Sequence, residues 1–292
     1  MKILNSLKFI ELIKPKIIIG NLVTMLGAYS LASKGILDFK LLILTTVAIT
    51  LIMSSACILN NVIDRDIDKQ MYRTNKRMLV TQFVSIKLIL YFSYILFFWG
   101  IFIFYYYINL LSMYLALLAF FIYVMLYSLY LKRNSIYSIF VGSLSGAIVP
   151  VIGYCSVINS FNFCAFFLLL MFICWQIPHS LAIAIIYNHD YKKVNIPTIP
   201  ILYGLLVTKY QIIFYIICFI FFSGMLSVLG YAGETYLLVT LFFGSFWLFL
   251  GLKGLYITNN ICWARTLFYF SIILIFIISF TMCLDFNSII QN

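Results

Sequence analysis

Charge is what this chain is short of. Only 9% of its 292 residues are Asp, Glu, Lys or Arg, against about a quarter in a soluble domain. Hydrophobic residues make up 65%, too many to hide inside one globule, which needs a polar exterior. Lipid is the solvent that fits. No CxxC pair occurs: Cys57, Cys155, Cys164, Cys174, Cys218, Cys262 and Cys283 are scattered, mostly inside apolar runs. That argues against disulfides or a cysteine metal site and for small buried hydrophobes. The stretch from Met1 to Lys16 lacks a compact apolar core followed by a small-residue cleavage site, being interrupted by four lysines and Glu11. The first true span is therefore expected to serve as the insertion signal, and residues 3–13 to form a short helix on the membrane surface. The net charge of +11 does not point to nucleic acid, because the basic residues sit in short loops between apolar runs, the signature of membrane orientation.

A span needs about 20 mostly apolar residues. Nine stretches qualify: 17–33, 41–62, 88–107, 111–131, 137–158, 163–187, 211–229, 236–252 and 267–284. With the N-terminus placed in the cytoplasm, every one of the 19 lysines and arginines except Lys34 and Lys40 falls on that side. Loss of a span would scramble this sorting. The C-terminus then lies on the opposite side. Two loops on the basic side are long, 64–87 and 188–210, and follow the second and sixth spans; the four-span interval hints at an old duplication. Long loops on a rigid scaffold are where function gathers.

Acidic residues number eight, and three of them, Asp64, Asp66 and Asp68, fall within five positions. Asn60, Asp64 and Asp68 are spaced i, i+4, i+8, so a continuing helix places all three on one face. Adjacent carboxylates repel, and a cation is needed to hold them ionised together. Magnesium suits: it takes oxygen ligands, typically one or two carboxylates plus substrate phosphates. With Arg73, Lys76 and Arg77 just beyond, the pattern reads as a diphosphate site. Asp66 faces away from the pair as an ordinary surface charge. The competing reading, a solvated loop that only enforces topology, explains the basic residues but not the acids, since Asp does little for orientation.

The sixth span carries Trp175-Gln176-Ile177-Pro178-His179-Ser180 and ends near Asn188-His189-Asp190-Tyr191-Lys192-Lys193. Pro178 is expected to kink the helix and free a carbonyl near Cys174. His179 is either a functional intramembrane group or a hydrogen-bond partner of a neighbouring helix. Asp190 either completes the site opposite Asp64 and Asp68 or pairs on the surface with Lys192 or Lys193. Asn21, in the first span, either bonds between helices or lines a polar cavity leading from the Asp pair.

The pattern Asn60-x-x-x-Asp64-x-x-x-Asp68 resembles the first aspartate-rich motif of the UbiA superfamily of intramembrane prenyltransferases. The extension to Met71, Arg73, Thr74 and Arg77 narrows the likeness to the heme-farnesylating branch. So do Lys14-Pro15, Gly142-Ser143-Leu144-Ser145-Gly146-Ala147, Trp175-Gln176-x-Pro178-His179-Ser180, and Asp190-Tyr191 through Asn195-Ile196-Pro197 and Pro200. The resemblance runs from about residue 9 to 286.

It implies an all-α integral membrane protein, one domain over 1–292, with nine transmembrane helices around a central cavity capped by the two aspartate loops. It implies magnesium as cofactor, with farnesyl diphosphate and protoheme IX as substrates. Asp64, Asp68, Arg73 and Asp190 would carry the chemistry, with Asp64, Asp68 and Asn60 as the metal set. Asn21, Asn60, Arg77, Arg133, His179, Tyr191 and Lys193 would contact substrate, His179 facing the cavity where heme lies. The expected setting is the bacterial inner membrane, with the lipid bilayer, a terminal oxidase assembly or heme-handling proteins as partners. The superfamily's second motif usually has another Asp four residues after the first; here that position is Val194, the shortened form of the heme branch, which leaves open whether Asp190 holds a second magnesium. The rival readings are a related enzyme using another aromatic acceptor such as 4-hydroxybenzoate, and a transporter. A transporter should carry ion-coupling acids near the bilayer midplane, and no span has a central Asp or Glu.

Overall fold

The apolar runs become long helices in the computed structural model, which describes residues 10–81 and 85–285. Helices α1 (Pro15–Ser33) and α2 (Phe39–Ile63) lead into a short α3 (Arg65–Gln70), followed by α4 (Ile86–Tyr107), α5 (Leu110–Asn134), α6 (Ser138–Ile158) and α7 (Phe163–Ile186). Short α8 (Asn188–Lys193) and α9 (Ile199–Leu202) precede α10 (Gly204–Val228), α11 (Glu234–Lys253) and α12 (Asn260–Leu284). Among the described residues nine helices are long and apolar enough to cross a membrane, and no strand occurs. The chain is a multi-pass membrane protein. The helix expected at 3–13 falls mostly outside the described residues; only its end, 10–12, is seen as a helical turn.

Side chains placed at the helix starts satisfy the first free amides. Asp38 accepts from Leu41 N–H (3.0 Å), Asn109 from Ser112 N–H (2.8 Å), Asn162 from Ala165 N–H (3.1 Å) and Asn259 from Cys262 N–H (3.1 Å). Two spans start seven residues earlier than their charge suggests, at Gly204 and not 211, and at Asn260 and not 267. The reason is that Lys209 and Arg265 lie inside helices. Lys209 is 7% exposed and rests over the Trp263 ring at 5.5 Å, a cation–π contact that lets a charged residue sit within the bundle end. Pro178 does not interrupt α7, which is helical throughout.

The packing closes on itself. α1 lies against α6 and α12, and α7 against α6, α10 and α12; α2, α4 and α5 wall one side, α10 and α11 the other. Lipid supplies no hydrophobic drive between helices, so close approach and polar pairs hold them. Ser55 and Ser93 hydroxyls meet at 2.9 Å between α2 and α4, Ser223 and Tyr236 at 2.6 Å between α10 and α11, and Trp175 Nε1 donates to the Ser271 carbonyl at 2.9 Å. A Cβ built on Gly153 would lie 2.6 Å from the Met25 carbonyl oxygen, so glycine is what lets α1 and α6 touch. The outer face of α4 presents Tyr91, Tyr94, Phe98, Trp99 and Phe102, all exposed, to lipid.

Overpacking of this kind costs about 1–3 kcal/mol. Gly153→Val should therefore lower the melting temperature of detergent-solubilised protein by several degrees. Gly20→Ala, where an added Cβ meets nothing within 4 Å, should leave it unchanged or raise it. Equal melting temperatures for the two variants would contradict the packing argument.

Candidate active site

At the end of the bundle where α1 begins, α2 stops at Ile63 and Asp64 caps it. The backbone hardly departs from helical bonding: Asp64 N–H reaches Asn60 O at 2.9 Å and Asp68 N–H reaches Asp64 O at 2.8 Å. Asn60, Asp64 and Asp68 therefore stay on one face across the break, as their spacing predicts. All three are buried (3%, 1% and 4% exposed) and line one polar chamber of about 460 Å³.

Each aspartate has a basic partner. Asp64 Oδ2 pairs with Lys132 and accepts from Asn60 Nδ2 at 2.9 Å. Asp68 pairs with Arg77 at 2.5 Å. Asp66 faces away, as expected, and takes both arms of Arg133 at 2.7 and 2.6 Å. Those bonds hold its carboxyl below the usual carboxylate range. Asn60 has both amide ends engaged, its oxygen by Lys14 and its nitrogen by Asp64 and Ser128. In this structure Asn60 orients Asp64; its amide is not left free as a ligand.

Several expected site residues lie elsewhere. Arg133 is tied to Asp66 and the Ile63 carbonyl and does not reach the chamber wall; its neighbour Lys132 does. His179 bonds Ser271 Oγ at 2.7 Å and stacks between Trp175 and Phe268, with ring centroids at 5.0 and 4.7 Å. It faces α12 as an interhelix partner, while Gln176 and Ser180 of the same helix face the chamber. Lys193 is exposed and off the wall. Asp190 is 9% exposed and pairs with neither Lys192 nor Lys193. Its two oxygens accept the backbone amides of Tyr72 (3.3 Å) and Arg73 (3.2 Å), tying the second long loop to the first. Val194 packs against the cluster of Ile67, Met71 and Ile196, so the position of a second acid is apolar.

Arg73, Arg77 and Tyr191 are on the chamber wall, Arg73 with its guanidinium 4.2 Å over the Tyr187 ring. Lys14 joins them, half-buried, and lost solvation pushes its ammonium down to about 8. Lys14, Tyr123, Tyr127, Ser128 and Lys132 carried no site signal in the sequence beyond charge sorting and one motif. Tyr123, Tyr127 and Ser128 lie in a π-helical stretch of α5, Ile122–Leu131, which ends at Lys132 and in which Ser128 Oγ donates to Tyr123 O at 2.8 Å; Lys14 comes from the residue before α1. Such wide turns recur at functional sites.

Beside the chamber lies a narrower apolar slot of about 110 Å³ between α1, α2, α5, α6 and α7, lined by Asn21 together with Ile49, Ile52, Met53 and Ala116 among others. Asn21 Nδ2 donates to Ile17 O at 2.9 Å, so it neither bridges helices nor extends the acidic wall. Ile17, Tyr123, Gly142 and Gln176 border both spaces. No group of three His, Cys, Asp or Glu able to hold a metal occurs among the described residues. A divalent cation would rest on the Asp pair alone, with its other positions left to water or substrate. The donor set fits: Asp64 Oδ1 is fully buried and has no hydrogen-bond partner.

A family model, the UbiA prenyltransferase family, matches residues 21–286. The chain belongs to the UbiA prenyltransferase family. Its similarity to curated relatives covers nearly all of it: 48% identity over 97% of this chain and 96% of the protoheme IX farnesyltransferase of Pseudomonas savastanoi pv. phaseolicola. With that of Yersinia enterocolitica the identity is 46%, over 96% of this chain and 95% of the relative. Among solved structures, a digeranylgeranylglyceryl phosphate synthase superposes with TM-score 0.80 at 18% identity, covering 97% of this chain and 98% of the other. A UbiA homolog from Archaeoglobus fulgidus bound to DMAPP and Mg2+ gives 0.69 at 14%, over 94% of this chain and 99% of that one. At such identities these two likenesses speak for the fold of a UbiA prenyltransferase.

Removing one member of a buried ion pair costs about 3–5 kcal/mol, whereas an exposed pair is worth at most about 1 kcal/mol. Lys132→Gln should thus lower prenyl transfer by at least tenfold, and Arg133→Gln by no more than about twofold. Comparing kcat/KM of the two purified variants checks the placement; equal losses would return Arg133 to the site.

Proposed function

We propose that this enzyme transfers the farnesyl group of farnesyl diphosphate to the 2-vinyl group of protoheme IX, with addition of water, giving heme O. The observation that carries the reading is the junction of a chamber walled by a buried Asp pair and four cations with an apolar slot, in a chain whose relatives at 46–48% identity bear that activity's name. The enzyme sits in the inner membrane of a bacterium, with the site at the cytoplasmic end, where the basic residues gather; the N-terminus is cytoplasmic and the C-terminus periplasmic. Terminal oxidase assembly or heme-handling proteins would receive the product.

Lys14, Arg73, Arg77 and Lys132 surround the diphosphate with positive charge. Asp64 and Asp68 would hold Mg2+, which when bound neutralises the diphosphate so that the allylic carbon–oxygen bond can break. The isoprenoid tail enters the slot, whose apolar walls keep water from the allylic cation. Tyr123, on the boundary of both spaces, offers a ring face to that cation, worth about 0.5–2 kcal/mol. The terminal vinyl carbon then bonds to the farnesyl carbon, leaving a second cation beside the porphyrin, and water captures it. Asp190 acts at one remove, accepting one hydrogen bond each from the Tyr72 and Arg73 backbone amides and so holding the segment that carries Arg73.

Asp64→Asn and Asp68→Asn should each lower heme O formation by about 100-fold or more, the scale of losing one charge-stabilising group at a reacting centre. Chelation should abolish it and Mg2+ restore it. The check is the mass of heme extracted from membranes incubated with farnesyl diphosphate and protoheme IX, with 4-hydroxybenzoate as a parallel acceptor. Unchanged product from both variants, or prenylated 4-hydroxybenzoate in place of heme O, would overturn the assignment.

A further inference from the structure

The second cation has two fates: capture by water, or loss of a proton to give an alkene conjugated with the porphyrin. Something must hold the water in place, in a site built otherwise to exclude it. Among the described residues, Gln176 is one of four that border both the polar chamber and the apolar slot; the others are Ile17, Gly142 and Tyr123. A diphosphate in the chamber with its tail in the slot puts the reacting carbon at this border. Ile17 and Gly142 have no polar side-chain atom to offer there. The Gln176 carboxamide makes no hydrogen bond to another described residue, although the Trp175 and His179 side chains nearby on α7 are both bonded to Ser271. Its amide is also seated closely: a Cβ on Gly146 would come within 2.7 Å of Nε2, so this glycine makes room for it. Thr198 adds a hydroxyl on the chamber wall that is buried and unpartnered. An amide with a free donor and a free acceptor in a confined polar space is a water-binding group.

We propose that Gln176 positions the water that captures the second cation, and so decides that the product is hydrated. The inference rests on the function proposed above. In the step, the water oxygen forms a carbon–oxygen bond to the cationic vinyl-derived carbon. The proton it sheds passes to the departed diphosphate, whose electron pair came from the broken allylic bond. Charge and atoms balance without any further reagent. Without the held water, the same cation discharges by losing a proton from the adjacent carbon.

The test is the composition of the product, not its rate. Membranes containing the wild type, Gln176→Met (similar volume, no amide) and Gly146→Ala (amide displaced, none removed) are incubated with protoheme IX and farnesyl diphosphate. The extracted hemes are then separated by mass. The wild type should give the hydrated product. Both variants should shift at least about tenfold toward a prenylated heme lighter by one water. Prenylated heme from Gln176→Met that is still wholly hydrated overturns the proposal, whatever its rate. So does a folded Gln176→Met that binds farnesyl diphosphate yet forms no prenylated heme, since the amide would then serve an earlier step. If Gln176→Met does not fold, Gly146→Ala decides alone, by the same ratio. Failure of the wild type to prenylate heme would sink the underlying reading instead, so the two failures are distinguishable.

Discussion

Asp64 is 1% exposed at the point where a membrane helix ends, and a carboxylate taken out of water costs several kcal/mol unless opposing charge and hydrogen bonds meet it. Much of the local architecture follows from meeting that demand. Lys132 must arrive from α5, so the helix widens into a π-turn that carries Tyr123 and Tyr127 onto the same wall and sets Ser128 against Asn60. Asn60 must orient the carboxylate, and its own oxygen is held by Lys14. Lys14 reaches it from a left-handed backbone conformation (φ 54°, ψ 63°) directly before Pro15, a strained geometry costing on the order of 1–3 kcal/mol. The strain and the wide turn are both concentrated around one acid.

The spacing of Asn60, Asp64 and Asp68 was readable because one helical period decides it, and a one-residue break at Asp64 leaves the face intact. The nine spans were readable because their length and apolarity leave few alternatives. Lys132 and Arg133 were not distinguishable. They are consecutive, and which one faces the chamber depends on the extra residue per turn that the π-stretch inserts, for which Ile122–Leu131 contains neither proline nor glycine as a marker. His179 misled for a related reason. On α7 the chamber face is Gln176, Ser180, Ile183 and Ala184, whereas Trp175 and His179 form an i, i+4 pair that points at α12. An ionisable residue inside a membrane is a fair candidate for function, but a single serine on the neighbouring helix satisfied it. The helix starts at Gly204 and Asn260 were hidden because Lys209 and Arg265 look like loop residues when read by charge alone.

The second long loop bears on how much charge the chamber holds. Its one acid, Asp190, spends both oxygens on backbone amides of the first loop, and Val194 packs into the apolar cluster that joins the two loops. The loop therefore supports the cap and adds no carboxylate to the wall. The wall is left with Asp64 and Asp68 against Lys14, Arg73, Arg77 and Lys132, an excess of positive charge. A diphosphate brings more negative charge than one divalent cation cancels, so a lining rich in cations receives the pair better than a neutral one. An acid at position 194 would have to break the apolar contact with Ile67, Met71 and Ile196 before it could reach the chamber, and would then lower the positive excess that receives the substrate. The apolar side chain there is thus consistent with both the packing of the cap and the electrostatics beneath it.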